Sequence, residues 1–302
     1  MKTLFKIWIS LVLIIIMGFL IWFPTGNQIK GCMTTSMFHV ELCPKSKDYV
    51  PLNQISKNIQ NAIILTEDAS FYQHSGFDEE GIQHCYEKMK EKKRIVCGGS
   101  TITQQLAKNM FLTRHKNFLR KGVEALITFK IEDTLTKREI LEKYLNIVQF
   151  GTDIYGVKQA AQFYFKKQPS QINVTEAAFL AMLLPNPEKY SQSFFKKNLT
   201  KFARKRIGRI VKTMYRFGRI DAATYESAIG SIDYFLKGGS ALAHMQEYKE
   251  KLAAEAELNE DLLTDAEFKN ELSKEEELLL EDSVGVDEIE EVEIDNTKNV
   301  GN

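Results

Sequence analysis

Residues 7–23 carry no charge, and their apolar character is interrupted only by Ser10 and Gly18. Lys2 and Lys6 precede the run, and no further charge occurs before Lys30. This run constrains the chain more than any other feature, because a helix that is apolar on every side needs a large core or a bilayer around it. At 1.5 Å per residue, its 17 residues and uncharged flanks just cross a hydrocarbon layer of about 30 Å. A cleavable signal peptide is the competing reading. The run exceeds the usual apolar region of about 7–15 residues, and FPTGNQ offers no small-x-small cleavage site, so an uncleaved anchor is expected. Two lysines ahead of the span favour a cytoplasmic N-terminus and place everything after Pro24 outside.

The chain has 302 residues and a formal charge of zero, but that average conceals two parts of opposite sign. Residues 247–302 hold 20 Asp and Glu against 5 Lys, a net of −15, which leaves +15 on residues 1–246. A basic body suits an anionic partner: phosphate, nucleic acid or an acidic membrane surface. Four cysteines, Cys32, Cys43, Cys85 and Cys97, allow three pairings, and an exported domain permits disulfides. None has the CxxC spacing of a zinc site.

Between these ends the pattern is helical. Ile55, Ile59, Ala62 and Ile63 mark one buried helical face, leading into Glu67 and stopping near Ser75-Gly76. Helical periods also fit 101–110, 120–135, 137–147, 155–165, 174–184 and 198–217, and no alternating strand is evident. The expected division is a cytoplasmic start (1–6), an anchor (7–29), an irregular connector (30–50), a mainly α-helical domain (51–236) and an acidic tail (237–302). The tail is expected to be partly helical over 241–282 and disordered beyond, either solvated or docked as an electrostatic shield on the basic body.

Three segments carry polar residues where a core would need apolar ones. In EDASFYQHSGFD (67–78), Glu67 ends an apolar helical face and shares it with Phe71 and His74 while the helix lasts. A carboxylate at the rim of an apolar wall has its pKa raised by desolvation, as a general base near neutral pH requires. Asp68 points elsewhere and is expected to bond backbone or a basic group. In GGSTITQQLAKNMFL (98–112), Gly98 and Gly99 free the backbone and Ser100 stands as N-cap of a helix from Thr101, with Gln104, Gln105 and Lys108 one and two turns in. A helix start with hydroxyls and a lysine holds phosphate. RKGVEA (120–125) adds Arg120, Lys121 and Glu124, with Lys130 further along. These cations can clamp a diphosphate, and Glu124 either binds a divalent ion or orients the cations.

In their order and spacing, these three segments resemble the signature motifs of the peptidoglycan glycosyltransferases, glycosyltransferase family 51. REILEKYLNIVQFG (138–151), YGVKQAAQFYF (155–165) and TEAAFLAMLLPNPEKY (175–190) extend the likeness over roughly 48–220. The resemblance implies a lysozyme-like helical fold with a small membrane-proximal jaw lobe, to which 109–121 corresponds. It implies Glu67 as catalytic base and Glu124 as second essential glutamate. Substrate contacts fall on Asp68, His74, Ser100, Thr101, Gln104, Gln105, Lys108, Arg120 and Lys130. A divalent cation (Mg or Mn) at Glu124 is the only cofactor implied. The implied reaction polymerises lipid II on the outer face of a bacterial plasma membrane. Its partners are lipid II, the growing glycan strand, the membrane and other cell-wall synthesis proteins, and not nucleic acid.

The chain departs from that pattern at Gln192, where a proline is expected after PNPEKYS. SFFK (193–196) fits the SxxK string of a transpeptidase, but no KTG follows, so a monofunctional enzyme is expected. Two rivals stand beside it: a glycan-cleaving enzyme of lysozyme-like fold, which needs a glutamic acid as proton donor but no cationic diphosphate set, and a non-catalytic membrane scaffold acting through its tail.

Overall fold

A computed structural model describes residues 2–92, 99–113, 118–196 and 198–236, with the side chains at 2, 3, 15, 16, 19, 20, 92 and 118 outside that description. The first element is helix α1 (Lys2–Trp22), then a short α2 (Gly26–Lys30) and a hairpin of β1 (Met33–Thr34) and β2 (Glu41–Leu42). Next come α3 (Lys57–Glu67), α4 (Glu79–Lys92), α5 (Ile102–Phe111), α6 (Phe118–Thr134) and α7 (Lys137–Ile147). A second hairpin, β3 (Gln149–Gly151) and β4 (Ile154–Tyr155), leads to α8 (Gly156–Phe165) and α9 (Val174–Leu183). Two short helices, α10 (Pro187–Tyr190) and α11 (Gln192–Phe195), precede α12 (Lys201–Arg216) and α13 (Ala222–Ser231). Both hairpins are antiparallel. The fold is mainly helical, as expected.

Local chemistry sets most of these boundaries. Thr101, Thr136 and Asn173 start α5, α7 and α9 as capping boxes with Gln104, Glu139 and Glu176. Ser56, Thr200 and Asp221 accept the free N–H groups that open α3, α12 and α13. Each such cap is worth about 1 kcal/mol. Helix α9 is buried at all ten positions, which makes it the centre of the domain. Helices α3 and α12 pack on α9, and α5 packs between α6 and α7.

The structure redraws the N-terminal division. The first helix runs over Lys2–Trp22 rather than 7–29, and Pro24 separates it from α2. Ile29, placed at the end of the expected anchor, is fully buried in the domain core. Along α1 the described side chains Leu4, Phe5, Trp8, Leu11, Ile14 and Ile21 are exposed. No helix built from described residues alone is long and apolar enough to cross a membrane.

The expected irregular connector at 30–50 is instead structured. Cys32 and Cys43 form a disulfide across the β1–β2 hairpin. Cys85 is also disulfide-bonded, and Cys97 lies outside the described residues. Beyond the hairpin, α7 holds the chain by its backbone. Glu142 accepts the Tyr49 hydroxyl at 2.5 Å and the Leu52 N–H at 2.7 Å. Asn146 accepts the Val50 N–H at 2.8 Å and donates to the Val50 carbonyl at 2.9 Å. This clamp fixes where α3 begins, and therefore where Glu67 ends it. Helix α4 and the two hairpins were not legible in the sequence. The tail helix expected over 241–282 and the disorder expected beyond it lie outside the described residues.

Asn146→Ala removes both partners of a buried backbone amide, at a cost on the order of 2–3 kcal/mol. Thermal melting of the variant is expected several degrees below the unaltered chain; an unchanged midpoint would show that α7 does not hold the 49–52 segment.

Candidate active site

Helix α3 does not continue to Ser75-Gly76: it stops at Glu67, and Asp68 leaves the helical conformation with φ −166° and ψ 74°. The reason is that the Asp68 side chain has partners elsewhere. Its Oδ2 accepts the Ile102 N–H at 2.9 Å, in the first turn of α5, and its Oδ1 accepts from His74 Nε2 at 2.7 Å. The Nδ1 of His74 accepts the Gly76 N–H at 3.2 Å, which leaves the ring proton on Nε2, facing Asp68. The Thr101 hydroxyl donates to the Gly76 carbonyl at 2.7 Å. The first two motifs are thus joined by their own polar groups, with Asp68 almost fully buried. Burial raises the Asp68 carboxyl, while His74 and the Ile102 N–H counter that shift.

Gly76 is a necessity of this turn. It has φ +93°, and a Cβ there would meet Thr128 Cγ2 of α6 at 2.8 Å. Gly99, by contrast, has open space around it. The expected cap at Ser100 is corrected: Thr101 is the N-cap of α5, because its hydroxyl accepts the Gln104 N–H at 3.2 Å while Gln104 Oε1 accepts the Thr101 N–H at 3.0 Å. Thr101 and Gln104 are therefore buried structural partners. Ser100 is exposed, and Lys121 Nζ donates to its hydroxyl at 3.3 Å.

Glu67 is half-buried and faces Gln105 of α5. Gln105 Nε2 donates to Glu67 Oε2 at 2.8 Å, and Gln105 Oε1 accepts the Tyr144 hydroxyl at 3.1 Å. Tyr144, on α7, is fully buried, so it fixes which way the Gln105 amide faces. Desolvation pushes the Glu67 carboxyl above the usual carboxylate range, and the Gln105 bond and the charges of Arg206 and Lys108 oppose that shift. Lys108 itself is held below the ordinary lysine value, chiefly by burial. It feels both Glu67 and the cluster around Glu124, and so bridges the two.

In that cluster Glu124 is buried on α6. Lys121 Nζ bonds its Oε1 at 2.5 Å, and Arg120 Nη1 approaches its Oε2 at 3.5 Å. Both carboxylate oxygens are engaged by cations. In this arrangement Glu124 orients the two cations, and a divalent ion at Glu124 would have to displace one of them. Among the described residues, one group of three has metal-ligand proximity, Cys32, Glu41 and Cys43, and its cysteines are consumed by the disulfide. Lys130 does not join the site. It sits on the outer side of α6, pairing with Asp133 at 3.2 Å.

Three contributors were missed. Tyr144 lies within REILEKYLNIVQFG and Arg206 within the helical period of 198–217, and neither segment marks them as site residues. Lys137 lies 4.7 Å over the Phe71 ring and bonds Glu132 at 2.8 Å, and Glu132 also accepts the Thr103 hydroxyl at 2.6 Å. The 137–147 periodicity carried no sign of either bond. The jaw stretch is described only in part, because 114–117 lie outside the described residues.

Asp68→Asn is expected to lower the melting midpoint and to speed hydrogen exchange at the Ile102 amide, since loss of a charge-assisted buried bond costs about 1–3 kcal/mol. Unchanged exchange at Ile102 would remove Asp68 as the link between the two motifs.

Comparison with known proteins agrees with this geometry. The Transglycosylase family profile matches residues 35–215. A biosynthetic peptidoglycan transglycosylase of Thiobacillus denitrificans is 49% identical over 142 residues, covering 47% of this chain and 61% of that protein. The Aromatoleum aromaticum protein of the same name is 49% identical over 147 residues, covering 49% and 64%. That of Cupriavidus metallidurans is 43% identical over 162 residues, covering 54% and 70%. The chain thus spans somewhat under two thirds of the length of the first two. A family match over more than half of the chain, on the elements that gather Glu67, Gln105 and Glu124, makes this chain a member of the transglycosylase family.

Proposed function

We propose that the chain polymerises lipid II into linear peptidoglycan strands by inverting glycosyl transfer, with release of undecaprenyl diphosphate. The observation that carries this reading is a desolvated carboxylate, Glu67, under the charges of Arg206 and Lys108, with Lys108 in turn feeling the Glu124-bound Arg120 and Lys121. The growing strand is the donor, its anomeric carbon bonded to the diphosphate. Glu67 takes the proton from the 4-hydroxyl of the acceptor sugar as that oxygen attacks the anomeric carbon. The new carbon–oxygen bond forms opposite the breaking bond to the diphosphate, which turns an α link into a β-1,4 link. The leaving diphosphate keeps the bonding electrons, and Lys108, Arg120 and Lys121 neutralise the charge it gains. Glu124 holds two of those cations in place.

Burial of Glu67 also suits a general acid, which is the lysozyme-like alternative. The cations favour the base: an acid that protonates a leaving sugar has no use for a diphosphate clamp, whereas Lys108 and Arg206 draw Glu67 toward ionisation. Lipid II polymer from the purified chain, with no soluble fragments from cell-wall sacculi, is the expected result; the reverse would establish glycan cleavage.

The substrates place the site at a membrane, and α1 supports an N-terminal anchor there. Its 21 residues extend about 31 Å at 1.5 Å per residue, close to the thickness of a hydrocarbon core. In this reading Trp22 meets the outer interface, and the remainder forms a lysozyme-like body with a jaw lobe near 109–121 on the outer face of the plasma membrane. Other cell-wall synthesis proteins are partners in the same reading.

Glu67→Gln is expected to lower the polymerisation rate by about 10²–10⁴-fold, the range of general-base catalysis, while the protein still inserts in membranes. Near-normal product would refute the assignment. In the unaltered chain the rate should fall on the acid side at a pH above the ordinary glutamate value of about 4.3. The same shift bears on stability. Burial raises the Glu67 carboxyl in the folded chain, so the neutral form favours folding. That contribution is complete below the unfolded pKa and is lost as pH rises through the folded one. Glu67→Gln should therefore melt higher than the unaltered chain at pH 7.5, by about 2–4 °C per kcal/mol recovered. The difference should vanish below about pH 4, where both forms are neutral. A variant that melts lower at pH 7.5 would mean that Glu67 is not desolvated.

A further inference from the structure

Helix α12, KFARKRIGRIVKTMYR, carries seven basic residues and no acidic one. Their placement around the helix is more informative than their number. At about 100° per residue, Lys201, Lys205, Arg209, Lys212 and Arg216 fall within an arc of about 80°. The buried residues Ala203, Ile207, Ile210, Val211 and Met214 centre about 180° from that arc. The stripe thus points straight away from the core and runs about 22 Å along the helix. Lys201, Lys205, Lys212 and Arg216 are exposed, and Arg209 is half-buried.

The two remaining cations mark the ground on either side. Arg204 sits about 100° to one flank of the stripe and pairs with Asp233, just beyond α13. Arg206 sits about 100° to the other flank and feels the charge of Glu67. Close by Arg204, a Cβ on Gly208 would lie 3.7 Å from Ile232 Cδ1, and Leu236, the last described residue, is buried. Asp233 and Ile232, near the last described residue, therefore lie on one flank of the basic stripe, and Glu67 lies toward the other. Beyond Leu236 the sequence carries a net charge of −15 over residues 247–302, against +15 on the body.

We propose that the acidic tail, residues 247–302, docks in cis along the basic stripe of α12, bordering the flank from which Arg206 acts on Glu67. The ten residues between Leu236 and Glu247 reach about 34 Å when extended, more than the length of the stripe. A tether of that length holds the tail near its site at an effective concentration in the millimolar range, which an untethered anionic protein does not match. The attraction is between exposed charges and is screened by salt.

The test uses the full chain in detergent micelles with a photo-reactive benzoylphenylalanine at position 212, and its readout involves no turnover. After irradiation, mass spectrometry is expected to find adducts mainly on peptides from 247–302. Their yield should fall severalfold between about 50 mM and about 500 mM salt, as the Debye length contracts from over 10 Å to about 4 Å. Lys201→Glu with Lys205→Glu, both solvent-facing, should lower the yield severalfold at low salt. Adducts confined to residues 1–236, or tail adducts indifferent to salt and to charge reversal, would overturn the proposal. So would lipid adducts that replace tail adducts in phosphatidylglycerol vesicles, since the stripe would then be a membrane surface.

Discussion

The arrangement of the site depends on one carboxylate, that of Asp68. Asp68 ties the end of α3 to the first turn of α5 through the Ile102 N–H, and to its own loop through His74. Glu67 is the residue before it, and Gln105 and Lys108 lie on the helix it holds. With Asp68 in place, the register between Glu67 and the α5 residues Gln105 and Lys108 follows from covalent geometry and helix pitch. A buried charge that is fully bonded stabilises one arrangement and penalises others, because any displacement leaves it unpaired in a poorly hydrated setting. Gly76 serves the same join, since only a residue without a Cβ passes Thr128 at that φ.

Glu67 itself is balanced between opposing influences. Desolvation raises its pKa, while Gln105, Arg206 and Lys108 oppose the rise. Either influence alone would defeat a base: a carboxylate stripped of water with no cations stays protonated, and one surrounded by cations in water is too weak to take a proton. The Tyr144–Gln105 bond matters because it presents the amide N–H side, rather than the carbonyl side, to Glu67. Lys108 joins this group to Glu124, whose buried carboxylate keeps Arg120 and Lys121 together against their mutual repulsion.

Much of this was legible in the sequence, and the remainder was hidden for identifiable reasons. Helices α5 to α9 and α12 appear within a few residues of their periodic signals, because capping residues and apolar spacing are local properties. The central position of α9 follows from TEAAFLAML being apolar on all sides. The end of α3 was misplaced because its stop is not a local glycine but a distant N–H that draws Asp68 away. Ser100 was mistaken for the cap because both it and Thr101 are good caps, and only the Gly76 carbonyl decides between them. Arg206 and Tyr144 reach the site through tertiary packing from α12 and α7, which no single-helix pattern encodes. Lys130 was expected from the family resemblance, yet six residues along the helix from Glu124 place it on another side, paired with Asp133.

The central claim is that Glu67 titrates as a desolvated carboxylate whose rise in pKa is opposed by Gln105, Arg206 and Lys108. Difference infrared spectra of the unaltered chain against Glu67→Gln, recorded through a pH series, isolate that one carboxyl. The account predicts a protonated-carboxyl band that disappears with a midpoint above the ordinary glutamate range. A midpoint at or below the ordinary value would contradict it.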